Sequence, residues 1–318
     1  MLVYVLQRLA SVTVILIAMS ILVFAVVNLL PGNTAIIMLG SYSTPEALAA
    51  LEAKLGLNDP LAVQYWRWAT DALTGDLGNS LVMERPIAPI LWDALQRSAI
   101  LAIAAIVCVA IIGILLGVVA ALYEGRLTDH AVSLFGYLGM AIPEFFWAIV
   151  LIILFSSYLG WFPTVGYEPL SAGLWPFLSH LVLPVVTLTL TLIAHISRLT
   201  RSSMLDVLQS SYIRAARARG LPERVVVMNH ALRNGLLPTI TVLAQDFGWL
   251  IGGIVVIESV FAYPGLGRLL IFSIERHDLP FVQAIVLVVT ATFCLANLGA
   301  DLLYAALNPK IRYGASSR

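Results

Sequence analysis

Five ionisable side chains interrupt otherwise apolar sequence: Glu144, His195, Asp246, Glu258 and Asp301. At hydrocarbon depth such a group costs roughly 2.5 to 3.5 kcal/mol, so it survives where it pairs, meets freed backbone or faces a wet cavity. Glu144 follows Pro143, where a helix break would leave backbone groups in need of partners. Asn297 and Asp301, four apart, share a helix face suited to an interhelical hydrogen bond or to a pore. His195 lies near a span boundary and reads as an interfacial residue. Asp246 and Glu258, twelve apart on one predicted span, are assigned to one cavity-facing side as candidate path-lining residues. A second concentration of chemistry runs from Arg198 to Gly235, with seven Arg against Asp206 and Glu223. No catalytic constellation accompanies them: Gly-x-Ser-x-Gly, His-Glu-x-x-His and a phosphate-binding Gly-x4-Gly-Lys-[Ser/Thr] are all missing. Cys108 and Cys294 sit in apolar runs without the polar company of a metal site, so no metal is expected.

The elements that hold these residues are set by composition. Of 318 residues 60% are hydrophobic and 11% charged, against about a quarter charged in soluble domains. Lipid is the expected solvent for most of the chain. A bilayer core needs about 20 apolar residues in helical form. Six runs qualify: about Leu9 to Leu30, Ser98 to Leu122, Ala131 to Leu159 broken by Pro143, about His180 to Ser197 with Pro184, Leu236 to Ala262, and Val282 to Leu307. Continuous runs of this kind exclude a barrel. The first is too long for a cleaved leader and is expected to be retained.

Lys and Arg near the span ends set the direction. With the N-terminus inside, twelve of the 18 basic residues fall on that side, and both termini are cytoplasmic. The fold class is therefore all-α and membrane-integral, with six spans. Residues 1–30 form the inner N-terminus and first span, 31–97 an extracytoplasmic helical subdomain, 98–307 a five-span core with the inner loop 198–235, and 308–318 a cytoplasmic tail. Within 31–97, Thr44-Pro45 and Asp59-Pro60 each place a capping side chain before a first-turn Pro. Leu48, Leu51 and Leu55 then share one face, and Leu61, Tyr65 and Trp68 another. Gly113-x3-Gly117 and Gly248-x3-Gly252 read as close helix-packing sites.

Charge alone would make 198–235 a topology-setting loop. With Tyr212 the only aromatic among its arginines, it does not read as a nucleic-acid surface. Its order says more. Tyr212-Ile-Arg-Ala-Ala-Arg-Ala-Arg-Gly220-Leu-Pro222 spells a short helix stopped by Gly220 and Pro222, and Glu223 to Arg233 a second amphipathic stretch. Small Ala side chains permit close approach by a partner, while Arg offers bidentate pairing to carboxylates.

At these residues the chain resembles the inner-membrane permeases of ABC importers, whose loop carries Glu-Ala-Ala-x3-Gly. Here Arg214-Ala215-Ala216-x3-Gly220 matches with Arg in place of Glu, and Leu232-Arg233 stands where Leu-Pro is typical. Both departures resemble the B-type permease of dipeptide, oligopeptide and nickel importers. So do Leu29-x-Pro31-Gly32, Leu55-Gly-Leu-Asn-Asp-Pro-Leu61, Gly75-Asp-Leu-Gly-Asn-Ser80, His230-Ala-Leu-Arg-Asn-Gly-Leu-Leu-Pro238, Pro264-Gly-Leu-Gly-Arg268 and Asn308-Pro-Lys-Ile-Arg-Tyr313. The resemblance implies a type I importer permease fold and a non-enzymatic subunit in a bacterial inner membrane, importing peptides or, alternatively, nickel or another small solute. Tyr212, Arg214, Ala215, Ala216, Arg217, Arg219 and Gly220 would form the ATPase-coupling loop. Implied partners are a C-type permease, two ATPases that bind the ATP, an extracytoplasmic solute-binding protein and membrane lipid. An ion-driven transporter using the intramembrane acids is the rival class.

Overall fold

The computed structural model describes residues 2–29 and 44–307, which are built of helices and turns with one isolated bridge between Asn79 and Pro86. Pro31-Gly32 and Asn308 to Tyr313 lie outside the described residues. Helix α1 (Leu2–Leu29) is apolar along its length, and many of its large side chains are exposed in the single chain. Such a surface suits lipid or another subunit as its solvent.

Helix α2 (Pro45–Leu55) starts as the sequence predicts, with the Thr44 hydroxyl accepting from the Ala47 N–H at 3.2 Å and Pro45 in the first turn. Helix α3 (Leu61–Thr74) does not. Pro60 occupies its cap position without a side-chain bond, because the Asp59 carboxylate is taken by Arg67 at 2.6 Å. The turn is closed instead by Gln64, whose Nε2 donates to the carbonyls of Leu57 and Asp59. The expected face of α3 turns toward α1: Tyr65 and Trp68 pack on Phe24 at 5.4 and 5.8 Å, and the Tyr65 and Ser20 hydroxyls are 2.9 Å apart. Leu61 is left exposed. The side chains of Leu51 and Leu55 lie outside the described residues. The described part of the 31–97 segment, from residue 44 on, thus leans on α1 through α3.

Helix α4 (Ile87–Leu122) runs unbroken for 36 residues through the expected boundary at 97/98. Nothing between Pro86 and Tyr123 interrupts it, since no glycine or proline falls there before Gly113 other than Pro89 in the first turn, where the ring is tolerated. Helices α5 (Leu127–Ala141) and α6 (Glu144–Leu151), the latter continuing into a π-helical stretch Ile152–Tyr158, meet at 102°. The bend is at Pro143, which forces Ile142 into extended backbone at φ −98°, ψ 125°. Helix α7 (Leu174–Leu208) carries Pro184 inside and packs along α4. Gly113 faces Ile196, and Gly117 faces Thr200 and the Ser197 carbonyl so closely that a Cβ there would collide. The Gly-x3-Gly pair is a close-packing site, as its spacing predicts.

Short α8 (Ser211–Ala218), α9 (Glu223–Val225) and α10 (Leu232–Gly235) follow, with π-helical Val226–Ala231 between the last two. The expected continuous span Leu236 to Ala262 is instead α11 (Leu237–Gly253) and α12 (Val255–Val260), separated at Ile254, whose ψ of 10° departs from helix. Gly252 and Gly253, each costing about 1 kcal/mol relative to Ala in a helix, place the break there. Helix α13 (Leu266–Glu275) and the long α14 (Leu279–Leu307) complete the chain. Near its end Asp301 pairs with Arg8 of α1 at 3.1 Å, the interhelical option of the two the sequence left open.

Among the described residues four helices are long and apolar enough to cross a bilayer: Val5–Leu29, Ile87–Leu122, Leu174–Leu208 and Leu279–Leu303. The bent α5–α6 pair makes five when counted as one crossing. The main core lies between α4, α7, α11 and α12, with Leu101, Ala105, Leu188, Leu250, Ile257 and Tyr263 near its centre.

Candidate functional site

One end of the bundle is built around the arginine loop. The predicted helix is α8, stopped by Gly220 at φ +79° as its glycine and the following Leu-Pro require. Its two apolar positions point inward: Ile213 and Ala216 are 0% and 1% exposed and join Ala121, Met204, Val226 and Ala231 in a second cluster. Gly235 sits against Met204, with no room for a Cβ, which fixes the far end of the loop on α7. Ala216 is therefore packing for the loop itself and presents nothing to a partner. Tyr212, Arg214, Ala215, Arg217, Arg219 and Gly220 are exposed.

The loop's charges are unequally used. Arg217 donates to Glu223 from Nε at 3.1 Å and from Nη2 at 2.6 Å, and this bond holds the Glu223 carboxyl below the usual carboxylate range. Arg201 forks onto Asp129 with two bonds of 2.6 Å, and the same carboxylate accepts from the Gly125 N–H. That pair ties the α4–α5 turn to α7. The Tyr212 hydroxyl accepts from Asn234 Nδ2 at 2.9 Å, closing the loop across its base. The side chains of Arg214 and Arg224 have no hydrogen-bond or ion-pair partner among the described residues, and the Arg219 side chain reaches only the Ala215 carbonyl.

At the opposite end two acids are fully engaged. Glu258, 1% exposed, accepts from Ser98 Oγ at 2.5 Å and from the N–H groups of Gly267 and Arg268 at 2.7 and 3.2 Å. Ser98 in turn accepts from the Leu266 N–H at 2.8 Å, and Gly265 lies where any Cβ would strike Glu258. The Pro264-Gly-Leu-Gly-Arg268 tract thus wraps one carboxylate, its glycines giving the backbone the approach a larger residue would deny. Asp278, 0% exposed, accepts from Ser80 Oγ, the N–H groups of Leu81 and Val82, and the Phe281 N–H at the start of α14. Helix α13 is consequently pinned at both ends to the 80–98 segment. The Tyr263 hydroxyl adds a bond to the Arg97 carbonyl at 3.0 Å.

Asp246 differs from both. It lies half-buried on α11, and its Oδ2 is enclosed yet lacks a hydrogen bond within the chain among the described residues. The expectation that Asp246 and Glu258 share one side fails on two counts. Twelve steps of about 100° put them about 120° apart even on an ideal helix, and the break at Ile254 separates them onto two helices. Glu258 caps backbone N–H groups from the wall of a largely apolar cavity that it shares with Met19, Ile251, Leu266 and Val289.

Ser98, Asp129, Arg201 and Asp278 carry roles that sequence reasoning did not assign. For Asp278 a signal existed: Asp-Leu-Pro before an apolar run is an N-cap followed by an early Pro. For Glu258 it was the paired glycines seven and nine residues on. The Asp129–Arg201 pair, 72 positions apart, had none.

Comparison with known proteins covers the whole architecture. A family described as "Binding-prot-dependent transport system membrane comp, N-term" matches residues 1–107, and one described as "Binding-protein-dependent transport system inner membrane component" matches residues 113–313. The glutathione transport system permease protein GsiC of Salmonella typhimurium is 40% identical over 313 residues, covering 98% of this chain and 100% of its own. The probable peptide ABC transporter permease protein y4tP of Sinorhizobium fredii is 36% identical over 311 residues, covering 98% and 99%. Among solved structures, a chain of the MetNI methionine ABC transporter in an inward-facing conformation superposes with a TM-score of 0.53 at 17% identity, over 69% of this chain and 96% of that one, a likeness of fold.

Proposed function

This chain belongs to the binding-protein-dependent inner membrane permease family, and from that premise we propose that it imports short peptides, glutathione-like tripeptides among them. It is a multi-pass permease subunit of an ABC importer and not an enzyme, and its family implies ATPase and binding-protein partners. The observation that carries the substrate reading is end-to-end similarity at 40% and 36% identity to permeases named for glutathione and peptide. The remaining assignments follow from the resemblance and the charge pattern. The chain crosses six times with both termini inside, α11 and α12 together making one crossing. The segment 31–97 faces the extracytoplasmic side, 98–307 forms the core and 308–318 an inner tail. A C-type permease supplies the other half of the path, two ATPases bind the ATP, and a solute-binding protein delivers the peptide.

In this reading Tyr212, Arg214, Ala215, Arg217, Arg219 and Gly220 make the coupling surface, with Ala216 holding it from beneath. The rigid seating of α8 on α7 supports this, since a docking element must transmit displacement instead of absorbing it. Asp246 is the path candidate, because an enclosed carboxylate oxygen without an internal partner needs water, solute or the second permease to solvate it. The test is uptake by the complex reconstituted with its co-encoded subunits, using labelled glutathione, di- and oligopeptides and nickel. ATP-dependent uptake of a peptide is expected. Uptake of nickel alone, or uptake driven by an ion gradient without ATP, would overturn the reading.

A further inference from the structure

The exposed face of α8 has a charge that the rest of the chain does not neutralise. Of the seven arginines between Arg198 and Gly235, Arg201 is taken by Asp129 and Arg217 by Glu223. Arg198, Arg214, Arg219, Arg224 and Arg233 remain exposed without an ion pair among the described residues, against the single unused acid Asp206. Of these five, Arg214 is the one within α8. With Ile213 and Ala216 pointing into the bundle, the helical periodicity turns Arg214, Ala215, Arg217 and Ala218 outward, and since Arg217 is held by Glu223, Arg214 is the unpaired cation of that face, with two small side chains beside it.

We propose that the ATPase groove receiving α8 is acidic, with a carboxylate placed to pair with Arg214. This rests on the coupling role assigned above and adds to it the chemistry of the partner surface. An Arg buried against a neutral or basic groove would lose its hydration without compensation, and like charges across an interface cost several kcal/mol. The guanidinium fork instead matches a carboxylate in a bidentate bond that fixes register as well as affinity. The chain accordingly selects its ATPase by charge. A topology-setting role for the same arginines at an anionic membrane surface is the competing account.

The experiment uses the complete transporter purified in detergent. Arg214→Glu is expected to lower ATPase copurification at least tenfold at 0.1 M salt while the permease still inserts and runs as a monodisperse species. Arg214→Lys is expected to retain the ATPase, and its amine then becomes a zero-length probe. Carbodiimide activates an ATPase carboxylate, the amine attacks it, an amide forms and a urea leaves, and mass spectrometry maps the joined peptides. A crosslink from position 214 to an ATPase Asp or Glu supports the proposal. Unchanged copurification in Arg214→Glu, or a crosslink only to Asp206 or Glu223 of the same chain, overturns it. Ala215→Trp separates the two levels: it blocks any close-docked partner whatever its charge. Loss of the ATPase in Ala215→Trp but not in Arg214→Glu rejects the acidic groove and keeps the coupling surface, whereas retention in both rejects the coupling surface as well.

Discussion

Glu258 and Asp278 at one end of the bundle, and Arg214, Arg219 and Arg224 at the other, are charged groups in a chain that has few of them, and they are treated in opposite ways. Each of the two acids accepts at least three hydrogen bonds and is withdrawn from solvent. The three arginines stand exposed without an acidic partner among the described residues, Arg214 on a short helix whose opposite face is packed shut, Arg219 at its end and Arg224 on the next. A charge satisfied within its own chain builds architecture. One left unsatisfied on a rigid element marks where another molecule completes the structure. Asp246 falls between: enclosed like the acids, unpaired like the arginines.

The strongest way to break this contrast is at Glu258. Replacing it with Ala strips the Ser98 hydroxyl and the Gly267 and Arg268 N–H groups of their acceptor inside the core, a loss on the order of 3 kcal/mol or more. Recovery of folded permease in detergent and its melting temperature should fall together, and Glu258→Gln, which keeps an acceptor, should fall less. Normal recovery of Glu258→Ala with reduced uptake would return the residue to the path and erase the difference between the two ends.

Asp246 should behave in the opposite sense. Since its Oδ2 accepts no hydrogen bond among the described residues, Asp246→Asn is expected to leave assembly and melting temperature unchanged while lowering uptake several-fold, through weaker solvation of the path. Loss of assembly would mean that a second subunit uses Asp246 structurally. Full uptake would remove it from the mechanism.

Legibility in the sequence divides along a related line. Local devices were readable: the Thr44 cap, the Pro143 bend, the Gly220 stop and the Gly113-x3-Gly117 contact each depend on neighbours within a few positions. Long-range satisfaction was not. That Ser98 and Asp278 hold distant backbone, or that α4 begins at Ile87 instead of Ser98, depends on partners up to 198 positions away that no spacing encodes. Helix α8 was found because its pattern is local. The orientation of Ala216 was missed because only the packed partner Met204 and its neighbours decide which Ala faces in. The Leu236 to Ala262 run looked continuous because isoleucines and valines flank the glycine pair that ends α11.

The smallest expected effect lies within the loop itself, at the one arginine of α8 that is internally paired. Arg217 and Glu223 are both more than a third exposed, so solvent screening limits their bond to under about 1 kcal/mol despite its good geometry. Its pH dependence has a definite sign. The folded Glu223 carboxyl is depressed below its unfolded value, so the contribution is fully present above the unfolded carboxylate value of about 4.3 and is lost as pH falls through the lower folded value. At neutral pH, Arg217→Ala should therefore lower amide-exchange protection in Ser211–Ala218 slightly, and wild-type protein taken below about pH 4 should approach the same protection. Arg214→Ala should leave that protection alone, because the Arg214 side chain makes no bond among the described residues. If the two variants loosened α8 equally, paired and unpaired arginines would be doing the same work, and the distinction between charge that builds the loop and charge that is offered to a partner would fail.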